Sequence, residues 1–234
     1  MKKLQIVRFT VQIVFLLLSL SVIIMKSPIL HIAYLVSALL AGVFFCGWLC
    51  PFGFIQDVFG KLGSLFIKNK LKTPLKLQKY LVFLRYVLTV LLMAIATTGI
   101  INFREYDARL VFLKLMNFSI AQTTALVIMV IFVVVAIIFE RPYCNYFCSE
   151  GARFGAISLL RIFTIKRNSG TCIQCKKCDK SCPMNITISN KNSIRSAQCI
   201  NCFNCISNCP VKGTLRFGLI NFKNKVQPNQ TIEK

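Results

Sequence analysis

The sequence is poor in acidic residues and nearly devoid of histidine. Its 234 residues include seven Asp and Glu against 29 Lys and Arg, and the single histidine is His31. One histidine excludes a haem held by two histidines of the same chain, and the absence of Cys-x-x-Cys-His excludes a c-type haem attachment site. The sequence also lacks Gly-x-Gly-x-x-Gly and Walker A motifs, which argues against a nucleotide- or flavin-binding domain. No catalytic triad or pair of general acid and base is evident.

Long stretches without charged side chains dominate the first two thirds of the sequence. Hydrophobic residues make up 56% of the chain and charged residues 15%, whereas a soluble domain needs more polar surface. A helix needs about 17–25 apolar residues to cross a bilayer, and the uncharged runs, the third of which is Tyr86–Phe103, predict spans at residues 9–25, 29–48, 81–102 and 123–139. No small-residue cleavage site follows the first run, so we expect a retained helix rather than a signal peptide.

Basic residues are distributed unevenly among the predicted loops. They concentrate before the first span, between spans two and three, and from Arg141 onwards, whereas the loop after the first span carries only Lys26. This positive-inside asymmetry predicts a multi-pass protein of the cell inner membrane, with both termini and the central loop in the cytoplasm. The net charge of +22 then reflects topology and contact with anionic membrane lipid rather than nucleic acid, because no nucleic-acid-binding motif accompanies it. The charged segment Arg104–Arg109 is either a solvated external loop or a docking surface for an external redox protein.

The two halves of the predicted membrane domain, residues 1–166, repeat each other. Cys46-Gly-Trp-Leu-Cys50 is matched by Cys144-Asn-Tyr-Phe-Cys148 at an offset of 98 residues. The segments that follow, residues 53–67 and 151–166, mix apolar and polar residues at helical spacing. We expect both to be amphipathic helices on the cytoplasmic face of the membrane.

Eight further cysteines form two runs of the pattern Cys-x2-Cys-x2-Cys-x3-Cys-Pro. The second run repeats the first at an offset of 27 residues. Three thiolates on one tight loop can hold three corners of a cubane cluster, and the fourth cysteine of each run ligates the other cluster. The predicted ligand sets are Cys172, Cys175, Cys178 and Cys209 for cluster I, and Cys199, Cys202, Cys205 and Cys182 for cluster II.

Zinc and disulfide bonds are the alternative uses of such cysteines. Zinc sites take four ligands, typically from two separated pairs, which suits these runs of three poorly. Disulfides are disfavoured in the reducing cytoplasm, where the charge asymmetry places this domain. We therefore predict two [4Fe–4S] clusters in a domain over residues 167–222, followed by a disordered polar tail at residues 223–234.

The four remaining cysteines lie at the ends of the predicted spans. Cys46 and Cys50 are four residues apart, as are Cys144 and Cys148, so each pair would share one face of a helix. Pro51 is expected to end the first of these helices. The duplicated pairs could together hold a third metal centre or act as a thiol redox pair, and the alternative is that they are small packing residues.

Taken together, these features resemble the NapH/NosR-type membrane-bound 4Fe–4S polyferredoxins, over nearly the whole chain. The resemblance rests on four spans, Cys-Gly-Trp-Leu-Cys-Pro after the second, a second Cys-x3-Cys after the fourth, and the tandem ferredoxin motif. The chain departs from the pattern at Ser149, which follows Cys148 where many members have proline. The expected fold is a mostly α membrane protein: a four-helix transmembrane bundle with an internal two-fold repeat, followed by a small α+β bacterial-type 2[4Fe–4S] ferredoxin domain.

The resemblance implies an electron-transfer subunit that passes electrons between cytoplasmic or quinone donors and a redox partner protein. It would be a component of an oxidoreductase system, quinol dehydrogenase-like, rather than a stand-alone enzyme. The alternatives are a copper-reducing assembly or maturation factor for a respiratory oxidase, and a membrane iron–sulfur redox sensor. His31, near the external end of span two, is either a quinone or proton-relay site or an interfacial packing residue.

Overall fold

The computed structural model of the protein is mostly helical, and it describes residues 2–19, 28–66, 72–97, 111–112, 114–115 and 123–220. Its longer helices are α1 (Lys2–Ser19), α2 (Pro28–Ala41), α3 (Pro51–Phe66), α4 (Leu75–Thr97) and α5 (Thr123–Ile138). A π-helical turn, Phe45–Leu49, lies between α2 and α3. After α5 come the short helices α6 (Pro142–Tyr146) and α7 (Ser149–Ile157), and a 3-10 turn at Ser158–Leu160.

Among the described helices, α4 contains one segment, Leu75–Ile95, that is long and apolar enough to cross a membrane. The apolar stretches of α2 and α5 are shorter, at Ile32–Ala41 and Leu126–Ile138. Large apolar side chains are exposed on α4, where Phe83 is 68% and Val90 is 69% exposed. Residues 20–25 of the predicted first span, residues 98–102 of the predicted third span, the Lys26 turn and the predicted tail lie outside the described residues.

The predicted second span is interrupted at Gly42. Helix α2 ends at Ala41, and Gly42 has a φ of 89°, a conformation that a residue with a Cβ rarely adopts. A Cβ at this position would also meet the Asn201 side-chain nitrogen at 2.8 Å. The prediction of one continuous helix over residues 29–48 is therefore wrong: the left-handed Gly42 ends α2, and the side chain of the distant Asn201 donates a hydrogen bond to the Ala41 carbonyl at this end.

The C-terminal part contains a two-stranded antiparallel sheet. Strand β1 (Phe163–Arg167) is followed by helices α8 (Lys177–Lys180) and α9 (Asn204–Ser207) and by strand β2 (Leu215–Leu219). Phe163 pairs with Leu219, and Arg167 pairs with Leu215. The predicted amphipathic helix at 151–166 is thus wrong beyond Leu160, since its last residues pair with a distant strand that local spacing cannot reveal. The ferredoxin-type fold accordingly includes residues from 163 onwards.

The helices of the two halves interlock, and the cysteine-rich part packs against them. Helix α3 packs on α5, α1 packs on the π-helical turn and on α3, and α4 packs on α6 and α7. Aromatic rings join the two parts of the chain: the Phe44 ring lies 5.7 Å from both Phe203 and Phe217, and Trp48 lies 6.0 Å from Phe203. The cysteine motifs therefore sit at the contact between the helical part and the sheet.

Candidate metal centres

The first cysteine set lines a cavity of about 380 Å³ near the surface of the ferredoxin-type domain. Its members, which are partly or fully exposed, are Cys172, Cys175, Cys178 and Cys209. A hydrogen bond from Arg167 lowers the pKa of the Cys172 thiol. Burial, helped by the neighbouring Asp179 carboxylate, raises the pKa of Cys178 to about 11.

The second set lines a separate cavity of about 340 Å³. All four of its members are at most 9% exposed: Cys182, Cys199, Cys202 and Cys205. The rest of the wall is apolar and includes Ile165, Ile186, Ile188 and Ile194. Burial, reinforced by the nearby Cys202, raises the pKa of Cys182 to about 12. Thiolates are the species that bind metal, so four thiols in this apolar pocket suit a positively charged core that would offset their charge.

Left-handed backbone at matched positions shapes both cysteine loops. Gln174 and Lys176 have φ of 52° and 55°, and the residues 27 positions later, Asn201 and Phe203, have φ of 48° and 56°. Non-glycine residues adopt this conformation rarely, and such strain concentrates at functional sites. Because Lys176 and Phe203 immediately precede α8 and α9, each loop coils around its three cysteines and then enters a short helix.

Helices α8 and α9 account for the exchange of the fourth cysteines between the two runs. Helix α8 carries Cys178 of the first set and leads to Cys182 of the second. Helix α9 carries Cys205 of the second set and leads to Cys209 of the first. Since the two helices pack on each other, each run contributes three cysteines to one cavity and one to the other.

The four cysteines at the helix ends line a third cavity, of about 430 Å³. They come from both halves of the repeat and are 6–8% exposed: Cys46, Cys50, Cys144 and Cys148. Within the described residues, no three His, Cys, Asp or Glu side chains come close enough together to hold one metal ion. The thiols of each set instead line a cavity, whose volume suits a core of several atoms.

The two halves present the third set through matching backbone geometry. The Cys50 amide donates to the Phe45 carbonyl at 2.9 Å, and the Cys148 amide donates to the Tyr143 carbonyl at 3.0 Å. Cys50 and Cys148 are both extended, with ψ of 116° and 112°. The predicted placement of each pair on one regular helix is therefore wrong. In each pair the first cysteine lies in a turn, and the second cysteine follows that turn with an extended backbone. The hydrogen bond that closes the turn joins residues five positions apart.

Hydrogen-bond donors point at the sulfur atoms of the third set. The Gln56 side-chain amide donates to Cys144 Sγ at 3.2 Å, and the Gly151 amide donates to Cys148 Sγ at 3.3 Å. Hydrogen bonds to sulfur tune the reduction potential of an iron–sulfur cluster. The local structure can thus adjust the chemistry of a bound cluster as well as hold it.

A buried ion network supports the third set from the side of α1 and α3. Arg141 donates to the two carboxylate oxygens of Asp57 at 2.6 and 2.5 Å and to the Cys46 carbonyl at 2.8 Å. Arg8 also pairs with Asp57 and donates to the Gly47 carbonyl at 2.8 Å. Burial by itself would raise the pKa of Asp57, but the Arg141 guanidinium outweighs it and holds that pKa below its usual value. The network therefore ties the first Cys-x3-Cys turn to three separate segments.

The second and third cavities share part of their walls. Met184 and Ile200 line both of them, and the Trp48 indole donates to the Asn201 carbonyl at 2.9 Å. A Cβ on Gly47 would lie 2.1 Å from the Ile200 carbonyl oxygen. The absence of a side chain at Gly47 thus allows the first Cys-x3-Cys turn to contact the ferredoxin loop directly.

Sequence reasoning missed several polar residues of the site. Arg85, on α4, also lines the third cavity and is 1% exposed, and neither it nor the network at Asp57 was predicted. The signal for Arg85 was an arginine inside a predicted span. The side chain of His31 and the segment Arg104–Arg109 lie outside the described residues, so the structure does not place them.

The comparisons with known proteins assign iron–sulfur families to both parts of the chain. Residues 27–74 and 121–166 each match the 4Fe-4S binding domain family, and residues 164–210 match the 4Fe-4S dicluster domain family. The double match covers all four cysteines of the third set and corresponds to the internal repeat. No solved structure gives a significant match.

Curated relatives have names that refer to electron transport and ferredoxins. The chain is 34% identical over 198 residues to YccM of Escherichia coli (strain K12), a candidate electron transport protein, covering 82% of this chain and 55% of YccM. It is 28% identical to the ferredoxin-type protein NapH of Haemophilus influenzae, covering 62% of this chain and 49% of NapH. It is 24% identical to the regulatory protein NosR of Pseudomonas aeruginosa, covering 59% of this chain and 20% of NosR. The matched segments thus span about half the length of YccM and NapH and a fifth of NosR.

Proposed function

Because the chain belongs to the NapH/NosR-type 4Fe–4S ferredoxin-like family, we propose that it is a membrane-bound electron-transfer protein with three [4Fe–4S] sites. The observation that carries the proposal is the presence of three cavities, each lined by four cysteines. The first two sets would hold the clusters of the ferredoxin-type domain. The third, from Cys46, Cys50, Cys144 and Cys148, would hold a further cluster at the helix ends. When bound, each cluster supplies one-electron redox chemistry.

The order of the three sets suits transfer between the protein surface and the helical part. The first set includes an exposed member, Cys175, whereas the other two sets are fully buried. Helices α8 and α9 join the first set to the second, and the shared residues Met184 and Ile200 join the second to the third. The cysteines of the two inner sets are at most 9% exposed, so the protein shields both sets from solvent.

A basic rim around the first set identifies the kind of donor that would dock there. Lys176 and Arg167 line the cavity, and Lys177 and Lys180 are exposed on α8. The carboxylate of Asp179 is turned inward, where it accepts from the Ile188 and Ser189 amides at 2.6 and 2.9 Å. Ile173, 65% exposed, offers an apolar centre within this rim, a common arrangement in protein interfaces. We therefore propose an acidic redox protein as the partner at the first set.

The helical part would anchor the protein in the cell inner membrane. Supporting observations are the candidate span in α4 and the apolar side chains exposed on α1, α2 and α5, such as Leu17, Ile32 and Val134, because large exposed apolar surfaces mark contact with lipid or protein. We propose four spans, on the uncharged runs of the sequence. The concentration of basic residues in the predicted loops supports a cytoplasmic location for the ferredoxin-type domain.

A polar cavity beside the third set is the proposed acceptor side. This cavity, of about 520 Å³, is lined by Gln56 and Arg141 together with Gln5, Gln12 and Glu140. Gln56 also donates to Cys144 Sγ, so one side chain separates the third set from this cavity. A quinone or quinol, whose oxygens accept hydrogen bonds, or a second redox protein would receive or supply electrons here. A role for His31 stays a prediction.

The electron-transfer role is favoured over reduction of copper by free thiols. A thiol that reduces a metal ion must be accessible and must form a thiolate readily. The four thiols of the third set are at most 8% exposed, and burial raises the pKa of Cys144 well above its usual value. These conditions disfavour thiol chemistry and suit ligands that a cluster keeps deprotonated.

Replacement of one cysteine of the third set tests the proposal. Cys148→Ser should lower the iron and labile sulfide of anaerobically purified protein from about twelve to about eight per chain, since each cluster holds four of each. Reoxidation of the dithionite-reduced protein by a soluble quinone should slow at least tenfold. Ser149→Ala, at the adjacent position, serves as the control and should leave both values unchanged. About eight irons in the unmodified protein would refute the third site, and stoichiometric zinc without sulfide would refute all three.

A further inference from the structure

Arg85 is a buried cation in the wall of the third cavity. It belongs to α4, the described helix that can cross a membrane, and 1% of its surface is exposed. Its long side chain reaches from α4 to the second Cys-x3-Cys segment. An ionisable residue at such a place costs free energy and therefore indicates a function.

Among the described residues, the hydrogen bonds of Arg85 reach neutral groups and no carboxylate. One terminal nitrogen donates to the Cys144 and Asn145 carbonyls at 3.1 and 3.3 Å, and the other donates to the Tyr86 hydroxyl at 3.3 Å. Its Nε has no hydrogen-bond partner within the described part of the chain. All these acceptors are neutral, and a buried charge without a counter-ion is strongly unfavourable.

The other charged side chains that the structure describes near the third cavity have partners of opposite charge. Arg141 and Arg8 share the carboxylate of Asp57. Glu150, which lines the cavity with Arg85, forms an ion pair with Arg153. Arg8 and Arg141 together still carry one more positive charge than Asp57, but neither lines the cavity. Arg85 is the described cation that lines it without a carboxylate partner, so four metal-bound thiolates would balance its charge. An oxidised cubane core with four thiolates carries a net charge of about −2.

We propose that Arg85 is a counter-charge of the third site and raises its reduction potential. The inference rests on the proposed third cluster and adds a residue that no cysteine motif includes. Reduction places one more negative charge in the cavity. A fixed cation beside it stabilises the reduced form more than the oxidised form, and the low dielectric of the buried site strengthens the effect. Arg85 thus makes the third site easier to reduce.

Three variants separate the charge of Arg85 from its packing. Arg85→Gln removes the charge and keeps a hydrogen-bonding side chain, whereas Arg85→Lys keeps the charge and loses the planar fork. Lys79→Gln removes a cation from an exposed position on the same helix and is the matched control. Each protein is loaded with clusters and titrated electrochemically with detection by EPR. The signal of the third site is identified by its loss in Cys148→Ser.

The expected result is a midpoint potential of the third site that is lower in Arg85→Gln than in the wild type. We expect Arg85→Lys to restore most of the difference and Lys79→Gln to change nothing. The potentials of the two ferredoxin-type sites should stay constant in all variants. If Arg85→Gln fails to retain the third cluster while Arg85→Lys retains it, the charge requirement is supported in a stronger form.

The outcomes that contradict the inference differ from those that contradict the proposed function. A wild-type protein with about eight irons would remove the third site and the inference together. Twelve irons with an unchanged potential in Arg85→Gln would overturn the inference alone. Arg85 would then act structurally, by binding the carbonyls in the last turn of α6. Loss of the third cluster in both Arg85 variants would also overturn it, since packing rather than charge would be the requirement.

Discussion

Individual residues decide how closely the parts of this protein approach each other. Gly47 and Asn145 occupy equivalent positions in the two Cys-x3-Cys motifs, yet they make different contacts. Gly47 lies directly against the backbone of Ile200, whereas the Asn145 side chain accepts a hydrogen bond from Gln198 at 2.8 Å. The repeat thus meets the ferredoxin loops through backbone contact on one side and through a side chain on the other.

We predict that Gly47→Ala separates the second and third sites. The new Cβ would lie 2.1 Å from the Ile200 carbonyl oxygen, a backbone atom that cannot rotate away. Overpacking of this kind costs about 1–3 kcal/mol, so the melting temperature should fall and reoxidation by quinone should slow. Gly218→Ala is the control, because a Cβ there meets nothing within 4 Å. Equal behaviour of the two variants would show that the close approach is dispensable.

At the level of elements, one carboxylate connects segments that are distant in the sequence. Asp57 on α3 binds Arg8 of α1 and Arg141, which precedes α6. Arg141 has a left-handed backbone, with φ of 50°, and the ion pair helps to maintain this strained conformation. The position of the first Cys-x3-Cys turn therefore depends on a network that no cysteine belongs to.

We expect Asp57→Asn to destabilise the helical part strongly. The change leaves two arginines without their shared counter-ion, and breaking a buried pair costs about 3–5 kcal/mol. Thermal unfolding of the detergent-solubilised protein measures the loss. Arg153→Gln breaks an ion pair whose arginine side chain is 46% exposed and should cost about 1 kcal/mol or less. If both variants melt at the same temperature, the carbonyl contacts of Arg8 and Arg141 suffice.

At the scale of the whole molecule, the distribution of charge along the chain is strongly asymmetric. Between residues 161 and 220, Asp179 is the one acidic residue of the sequence. Lysines and arginines therefore dominate the surface around the exposed first set. The same positive charge that favours a cytoplasmic location for this domain would attract an acidic donor to it.

Charge reversal near the first set should slow electron transfer from an acidic donor such as a flavodoxin. For Lys176→Glu with Lys177→Glu we predict at least a tenfold lower bimolecular rate at low salt, because electrostatic steering contributes about 10–10³-fold. The difference should shrink at high salt, where screening shortens the range of the field. The control is Lys76→Glu with Lys79→Glu on α4. An equal loss of rate in both double variants would assign the effect to the net charge of the protein rather than to docking at the first set.

Much of this protein is determined by local sequence spacing. The family resemblance drawn from the cysteine motifs is confirmed by the matched families and relatives. The run Cys-x2-Cys-x2-Cys-x3-Cys-Pro fixes which residues can lie around one cavity, because three cysteines on one tight loop have little freedom. The helical character of the first half also follows from its apolar runs, and the repeated Cys-x3-Cys pairs identify the third set as a candidate site.

The tertiary structure decided what depends on contacts between distant residues. The end of α2 at Gly42 is accompanied by a hydrogen bond from the distant Asn201 to the Ala41 carbonyl, and the strand at residues 163–167 depends on its pairing with β2. The convergence of the third set requires both halves to pack against one ferredoxin loop. In the sequence, Arg85 is an arginine near one end of a predicted span. Its position in the cavity wall depends on the packing of α4 against α6. Spacing along the chain determines local geometry, whereas burial and the pairing of charges depend on the whole fold.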